Sequence, residues 1–284
     1  MNSFWLARRS LELDTRTLAF QPWPLRKRLS FVAKKYQLLG RHRVRPFKLG
    51  ESNVRWAGQT IYYDSPLGLT GYQSMLTRHA NLLRIAGVRE LGTVIDCGAN
   101  VGFFSMMITQ LSANTHVYAI EPVPAIFECL KRNLAPSPNV EVFQLAMSDS
   151  SGPVRMAYDN SASTVSHVAR DGNLEVPALT LDDFATQQRI GDVDLLKVDT
   201  ETFEAHVLRG AANVLARTKH LLIEITIEAN ENYSISSLMS LLNGPGFDYQ
   251  LVAFRNYGDV AEGRMPIMDC LMINRALVVA PPHR

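Results

Sequence analysis

Short apolar runs and helical stripes take turns along this chain. TVID (93–96), HVYAIE (116–121), VEVFQLAM (140–147), DVDLLKVD (192–199) and HLLIEIT (220–226) are compact and largely apolar, the pattern of buried strands. Between them, VGFFSMMITQL (101–111), PAIFECLKRNL (124–134), FEAHVLRGAANVLA (203–216) and SISSLMSLL (234–242) read as helices. In the third of these, Phe203, Val207, Leu208, Ala211 and Val214 share one side. A further helical stripe runs from Met75 to Ala86. Thr180 and Asp183 have capping-box spacing, so a short helix is expected to start at LDDF. Residues 150–179 are less regular, with short extended pieces such as PVRMAY and EVPAL. FDYQLVAF and DCLMINRAL read as two closing strands with a Gly-containing connection.

Strands alternating with helices predict an α/β fold with a mainly parallel sheet and helices on both faces. The last two strands lack an intervening helix, so one of them should run antiparallel. Hydrophobic residues make up 46% of the 284, enough for one sizeable core, here assigned to 66–284. Residues 1–65 read as a separate extension. Pro22 and Pro24 interrupt it, and Leu25 to Leu39 could form a basic helix with Leu29, Val32, Ala33 and Tyr36 on one face. Residues 44–63 look extended.

Charge separates the two parts. Residues 1–48 balance at +10 and the remainder at −8. Such an arm suits a peripheral contact with anionic membrane or an acidic partner, or it packs against the acidic body. No aromatic–basic interleaving supports nucleic-acid binding. Cys97, Cys129 and Cys270 are too few and too scattered for a disulfide scaffold or zinc site, and they fit a reducing compartment. No apolar stretch approaches the roughly 20 residues of a membrane span. The expectation is a cytoplasmic protein.

In such sheets, ligands bind at the carboxyl ends of strands. The first strand ends in DCGANVG, which meets neither G-x-G-x-x-G nor the P-loop pattern. Gly98 and Gly102 allow close backbone approach to a ligand, around Ala99 and Asn100. Asp96 would repel a pyrophosphate and favour a ligand with an ammonium group, such as S-adenosylmethionine. Glu121, with Pro122 behind it, ends the next strand, where an acid can accept two ribose hydroxyls. Ser148 and Asp149 follow the third strand, placed for the adenine end or for a simple turn. Asp199 and Glu201 follow the fourth, and Glu204 reads as a structural helix-start acid. Asp199, Glu201 and His167 are the candidate bases. His206, one turn into a helix, reads as a packing or surface residue. No cluster has metal-ligand spacing, and no metal is expected.

VIDCGANVGFFS, AIEP, LTLDDF and LLKVDTETFEAHVLRGA, in this order, resemble the FkbM-type methyltransferases over roughly residues 90–275. The resemblance implies a Rossmann-like seven-stranded sheet with an antiparallel last strand. It implies S-adenosylmethionine-dependent O-methylation of a hydroxyl on a small molecule, natural product, sugar or glycolipid. Asp96, Gly98, Asn100 and Gly102 would hold the methionine part and Glu121 the ribose, with Asp149 near the adenine and Asp199 near the methyl. Where the family usually has Gly after Asp-x-Glu, this chain has Thr202. Either the turn is ordinary, with Thr202 as an N-cap, or the acceptor side is altered. An NAD-dependent oxidoreductase and a non-catalytic nucleoside-binding module are the competing readings.

Overall fold

The protein's structure is a computed structural model, which describes residues 3–19, 23–42, 44, 47–65, 68–112, 114–158, 167–168, 171–226, 235–256 and 267–278. Two helices, α1 (Ser3–Leu18) and α2 (Leu25–Arg41), precede a hairpin of β1 (Asn53–Trp56) and β2 (Gln59–Tyr62). Helix α3 (Thr70–Ile85) leads into β3 (Thr93–Cys97), α4 (Phe103–Leu111), β4 (His116–Ile120), α5 (Pro124–Leu134) and β5 (Val140–Phe143). Next come β6 (Ala146–Ser148), β7 (Gly152–Ala157), β8 (His167–Val168), β9 (Leu174–Thr180) and α6 (Leu181–Gln187). After them run β10 (Val193–Val198), α7 (Glu204–Arg209), α8 (Ala212–Ala216) and β11 (Thr218–Thr226). Helix α9 (Ile235–Ser240), β12 (Asn243–Gly244), β13 (Phe247–Asn256) and β14 (Ile267–Asn274) follow.

The main sheet has the order β12-β13-β14-β11-β10-β3-β4-β5. Strands β5, β4, β3, β10 and β11 are parallel, and β14 runs antiparallel to both β11 and β13. The α/β fold with its antiparallel last strand is therefore present, and the two-residue β12 raises seven strands to eight. Side chains alternate across the sheet as strand period requires. Val94, Val117, Leu195 and Leu222 join one apolar cluster, while Ile95, Ile120, Leu196 and Ile223 join the other. The chain leaves β3 toward β4 on one side and β10 toward β11 on the other. That reversal opens a crevice above β3 and β10.

The structure departs from the pattern-based expectation in three segments. VEVFQLAM is two strands: β5 stays in the main sheet, and β6 leaves it to pair with β9. The irregular 150–179 region contributes β7, β8 and β9 to that second, four-stranded sheet. FEAHVLRGAANVLA is two helices, because Gly210 sits against the Ser148 carbonyl, where a Cβ would lie 2.2 Å from the oxygen. Asp182 then caps α8 by accepting from the backbone N–H of Asn213 and Val214. The helix start is capped as expected, with Thr180 Oγ1 accepting from Asp183 N at 3.0 Å, while Ser151 Oγ stands between the Thr180 N–H and the Asp183 carboxylate in place of the reciprocal bond.

The face of α2 also differs from expectation. Phe31, Lys35 and Leu38 are its buried residues, while Leu29, Ala33 and Tyr36 face solvent. Phe31 is drawn inward by an aromatic cluster with Trp23, Trp56 and Tyr72, at centroid distances of 5.1–5.8 Å. Lys35 is drawn inward by Asp14 of α1, with Gln73 of α3 bonded to both. Tyr72 stacks on Phe103 at the start of α4, so α2 shares the core of the α/β body.

Gly210→Ala should push the α7–α8 turn off β6 and cost on the order of 1–3 kcal/mol. Gly191→Ala, with open space around it, should be neutral or stabilise by up to about 1 kcal/mol. Urea midpoints of the two variants check this; equal shifts would show that the Ser148 contact is not limiting.

Candidate active site

Parallel pairing of β3 with β10 sets Asp96 directly opposite Lys197. Both point to the same face, and both are buried. Lys197 Nζ lies 3.1 Å from Asp96 Oδ1 and 3.3 Å from Asp199 Oδ2, and it donates to the Gly98 carbonyl at 3.0 Å. Ser105 Oγ of α4 donates to Asp96 Oδ2 at 2.7 Å. Burial alone would lower the Lys197 pKa, but Asp199 and Asp96 outweigh it and hold the ammonium above the usual lysine value.

The β3–α4 turn is tight. Gly98, Asn100 and Gly102 all have positive φ, at 76°, 51° and 88°. A Cβ on Gly98 would lie 1.9 Å from the Asp199 carbonyl oxygen, so only glycine lets this turn cross the end of β10. The Gly98 and Ala99 amides donate to the Ile120 carbonyl. Glu121 accepts from Asn100 N and Val123 N, each at 3.0 Å. Burial, opposed by those two amides, pushes its carboxyl up to about 7.

These loops enclose a cavity of about 440 Å³, within the range of small-molecule sites. Of the residues expected at a site, Gly98, Ala99, Asn100, Glu121, Pro122, Asp199 and Glu201 line it. Asp96 lies behind its wall, held by Lys197 and Ser105, so the carboxylate facing the cavity beside Lys197 is Asp199. Gly102 packs toward Leu130 and Leu134 of α5. Ser148 is buried in β6, and Asp149 is half-exposed, 3.9 Å from His206 Nε2. His206 stacks on Phe203 with centroids 4.1 Å apart. The His167 backbone lies in β8, and its side chain is outside the described residues.

Two lining residues carried no signal in the sequence. Asp64, just past the β1–β2 hairpin, is nine-tenths buried and hydrogen-bonds Ser65 and the Asn100 side chain, while burial raises its carboxyl. Arg78 reaches the cavity from α3 and lies 3.8 Å from Asp269 of β14. Only tertiary packing brings either to β3. Altogether Asp64, Glu121, Asp199, Glu201 and Glu224 line the cavity against Lys197 and Arg78, a lining suited to a cation.

The rim turn after Asp199 is strained. Glu201 and Thr202 have φ of 53° and 73°, a region that costs a non-glycine residue about 1–3 kcal/mol. Thr202 is not an N-cap; Phe203 holds that position. The buried Glu204 carboxylate ties the turn down by accepting from Thr200 N at 2.9 Å and Thr200 Oγ1 at 3.2 Å. Glu201 is open to solvent on one side, yet the surrounding walls, with Asp199 and Glu204, push its carboxyl up to about 8. Among the described residues, no group of three His, Cys, Asp or Glu side chains is arranged to hold a metal ion.

The chain is similar to several methyltransferases. The hexuronic acid methyltransferase AglP of Haloferax volcanii is 26% identical over 46% of this chain and 54% of its own length. The 2-O-methyltransferase NoeI of Sinorhizobium fredii is 23% identical over 46% of this chain and 62% of its own. The matches thus span little more than half of these two relatives. The 31-O-demethyl-FK506 methyltransferase FkbM of Streptomyces tacrolimicus is 24% identical over 62% of this chain and 80% of its own length. The model of the methyltransferase FkbM domain matches residues 96–251, from the buried Asp96 into β13. With more than half of its length covered by that match, the chain belongs to the FkbM methyltransferase domain family.

Proposed function

We propose that this protein transfers a methyl group from S-adenosylmethionine to a hydroxyl of a sugar, glycolipid or natural product. The observation that carries the reading is the acidic cavity closed against the glycine turn and Glu121. An anionic dinucleotide would face an acid-rich wall there, whereas a sulfonium carrying an ammonium favours the ionised forms of Glu121 and Glu201, which burial otherwise opposes. The names of AglP, NoeI and FkbM support hydroxyl acceptors of the sugar and natural-product classes.

Glu121 would hold the ribose hydroxyls, since its two oxygens keep acceptor capacity beyond the two amides they already bind. The Gly98–Asn100 backbone would receive the methionine part, with Asp64 beside Asn100 taking its ammonium. Pro122 and Ile126 supply apolar wall. When bound, the cofactor supplies an electrophilic methyl group on a sulfonium. Asp199, fixed by Lys197, orients the acceptor hydroxyl. Glu201 at the rim takes its proton, because a carboxyl held up near neutrality is a better base than an ordinary one.

Supplying methyl-labelled cofactor with a panel of hydroxylated sugars, lipid-linked sugars and natural products tests the reaction. Label recovered as an O-methyl group is expected; label recovered only on nitrogen or carbon, or none transferred, would sink it.

Binding is tested separately by calorimetry. Glu121→Ala should weaken S-adenosylhomocysteine and methylthioadenosine alike. Asp64→Asn should weaken S-adenosylhomocysteine by about tenfold to a hundredfold and leave methylthioadenosine, which has no amino-acid part, unchanged. Equal loss of both ligands would remove Asp64 from the ammonium, and no binding to the unaltered protein would remove the cofactor.

The rate should also depend on pH through Glu201. The carboxylate is the working form, so kcat falls as pH drops through about 8. Glu201→Gln should abolish that limb and lower kcat by about 10²–10⁴-fold. A limb that survives the substitution assigns the base elsewhere.

A further inference from the structure

Among the described residues, the basic charge of α2 is not spent on the acidic body. Residues 25–45 hold eight Lys and Arg and no Asp or Glu. Among the described residues, the carboxylate partner of an α2 cation is Asp14, which meets the buried Lys35 and belongs to α1. Other cations of the helix go to neutral groups. Arg28 reaches the Leu18 carbonyl, Lys34 reaches Gln37, Arg41 reaches the Asn53 carbonyl, and Lys27 reaches Gln110. Packing against the acidic body, the simplest account of the arm's charge, is therefore not what these contacts do.

The outward face of α2 combines this charge with exposed apolar groups. Leu25, Leu29 and Tyr36 fall at i, i+4 and i+11, on one side of the helix, with Gly40 and Ala33 beyond Leu29 at one edge of that stripe in projection. They are 56%, 53% and 45% exposed, and Val44 beyond the helix end is 85% exposed. Exposed Arg26 borders this stripe beyond Ala33, and exposed Arg41 lies farther round the same side at the helix end. The opposite side is fixed in the core through Phe31, Lys35 and Leu38, so the stripe cannot turn inward without breaking the aromatic cluster.

From this geometry we infer that the outer face of α2 docks on an anionic membrane surface. Leu25 and Leu29 would enter the headgroup boundary, with Tyr36, whose hydroxyl donates to Asp14 Oδ2 at 2.7 Å, at the edge of the contact and Arg26 and Arg41 reaching the lipid phosphates. Charge complementarity selects an anionic partner. The exposed leucines favour lipid over nucleic acid, whose phosphates offer an apolar side chain nothing to bury. No helix of the described residues is long and apolar enough to cross a membrane, so the contact is peripheral. The inference does not depend on the cofactor or on the reaction.

Vesicle flotation of the full chain tests it, using phosphatidylcholine alone and phosphatidylcholine mixed in equal parts with phosphatidylglycerol. The protein should float with the mixed vesicles and stay behind with the neutral ones. Leu25→Glu with Leu29→Glu, and separately Arg26→Glu with Arg41→Glu, should each weaken flotation by at least about tenfold. Both pairs are exposed, and an unchanged thermal midpoint confirms folding; if one pair unfolds, the other decides. Failure to float, equal flotation with both vesicle types, or flotation that survives in the folded variants overturns the inference. So does binding to an RNA or DNA duplex, lost in the same variants, without vesicle binding.

Discussion

The buried Lys197 ammonium, shared between Asp96 and Asp199, is the contact on which the centre of this structure depends. It joins adjacent strands at the point where the chain reverses its direction across the sheet. Three charges out of water are tolerable only as a set, and removing one member of a buried pair typically costs about 3–5 kcal/mol. Because Lys197 also donates to the Gly98 carbonyl, the group fixes the glycine turn and the end of β10 relative to each other. The near-contact between Gly98 and the Asp199 carbonyl follows from that closeness. Asp96 does its work from behind the wall. Its charge holds the lysine, and the lysine presents Asp199.

The same rigidity lets the rim carry strain. Two consecutive non-glycine residues, Glu201 and Thr202, sit in the left-handed region just past Thr200, which follows Asp199. Such a turn persists only where its ends are over-determined. Here Lys197 holds Asp199 on one side, and the buried Glu204 holds Thr200 from the other. The helix-start acid is thus more than a dipole partner, since without it the backbone of Thr200 would lose its acceptor. The strained turn in turn keeps Glu201 at the rim beside Asp199, and that crowding contributes to its raised carboxyl pKa.

Much of this was readable in the chain before its folding was known. Compact, largely apolar runs mark β3, β4, β10 and β11, and Thr180 with Asp183 marks the start of α6. The spacing of Gly98, Asn100 and Gly102 marked the turn, and Glu121 marked the end of β4. What escaped was non-local. Lys197 reads as one polar residue in an apolar strand until register sets it opposite Asp96. VEVFQLAM is uniform in pattern, and only pairing with β9 divides it. Helix α2 offers two faces, and the one its apolar spacing favours, Leu29, Val32, Ala33 and Tyr36, is not the one the fold buries. The choice was made by partners elsewhere, with Trp56 and Tyr72 claiming Phe31 and Asp14 claiming Lys35.

Those same partners tie the N-terminal segment to the cavity at two levels. The Lys35–Asp14–Gln73 cluster fixes α1 and α2 against α3, the helix that also sends Arg78 to the cavity. The β1–β2 hairpin is fixed to α5 by Asn133, whose side chain bonds the Tyr62 backbone N–H and carbonyl at 2.8 Å each. Asp64 follows two residues later, so its position beside Asn100 is set by the hairpin and α5 together. Asn133 also donates to the Val101 carbonyl, and one side chain thereby holds the hairpin and the glycine turn in register. A segment without any recognisable motif therefore supplies part of the cavity wall, while its outer face carries unspent positive charge and exposed leucines. One stretch of sequence meets both demands because a helix has two sides and a hairpin has an end.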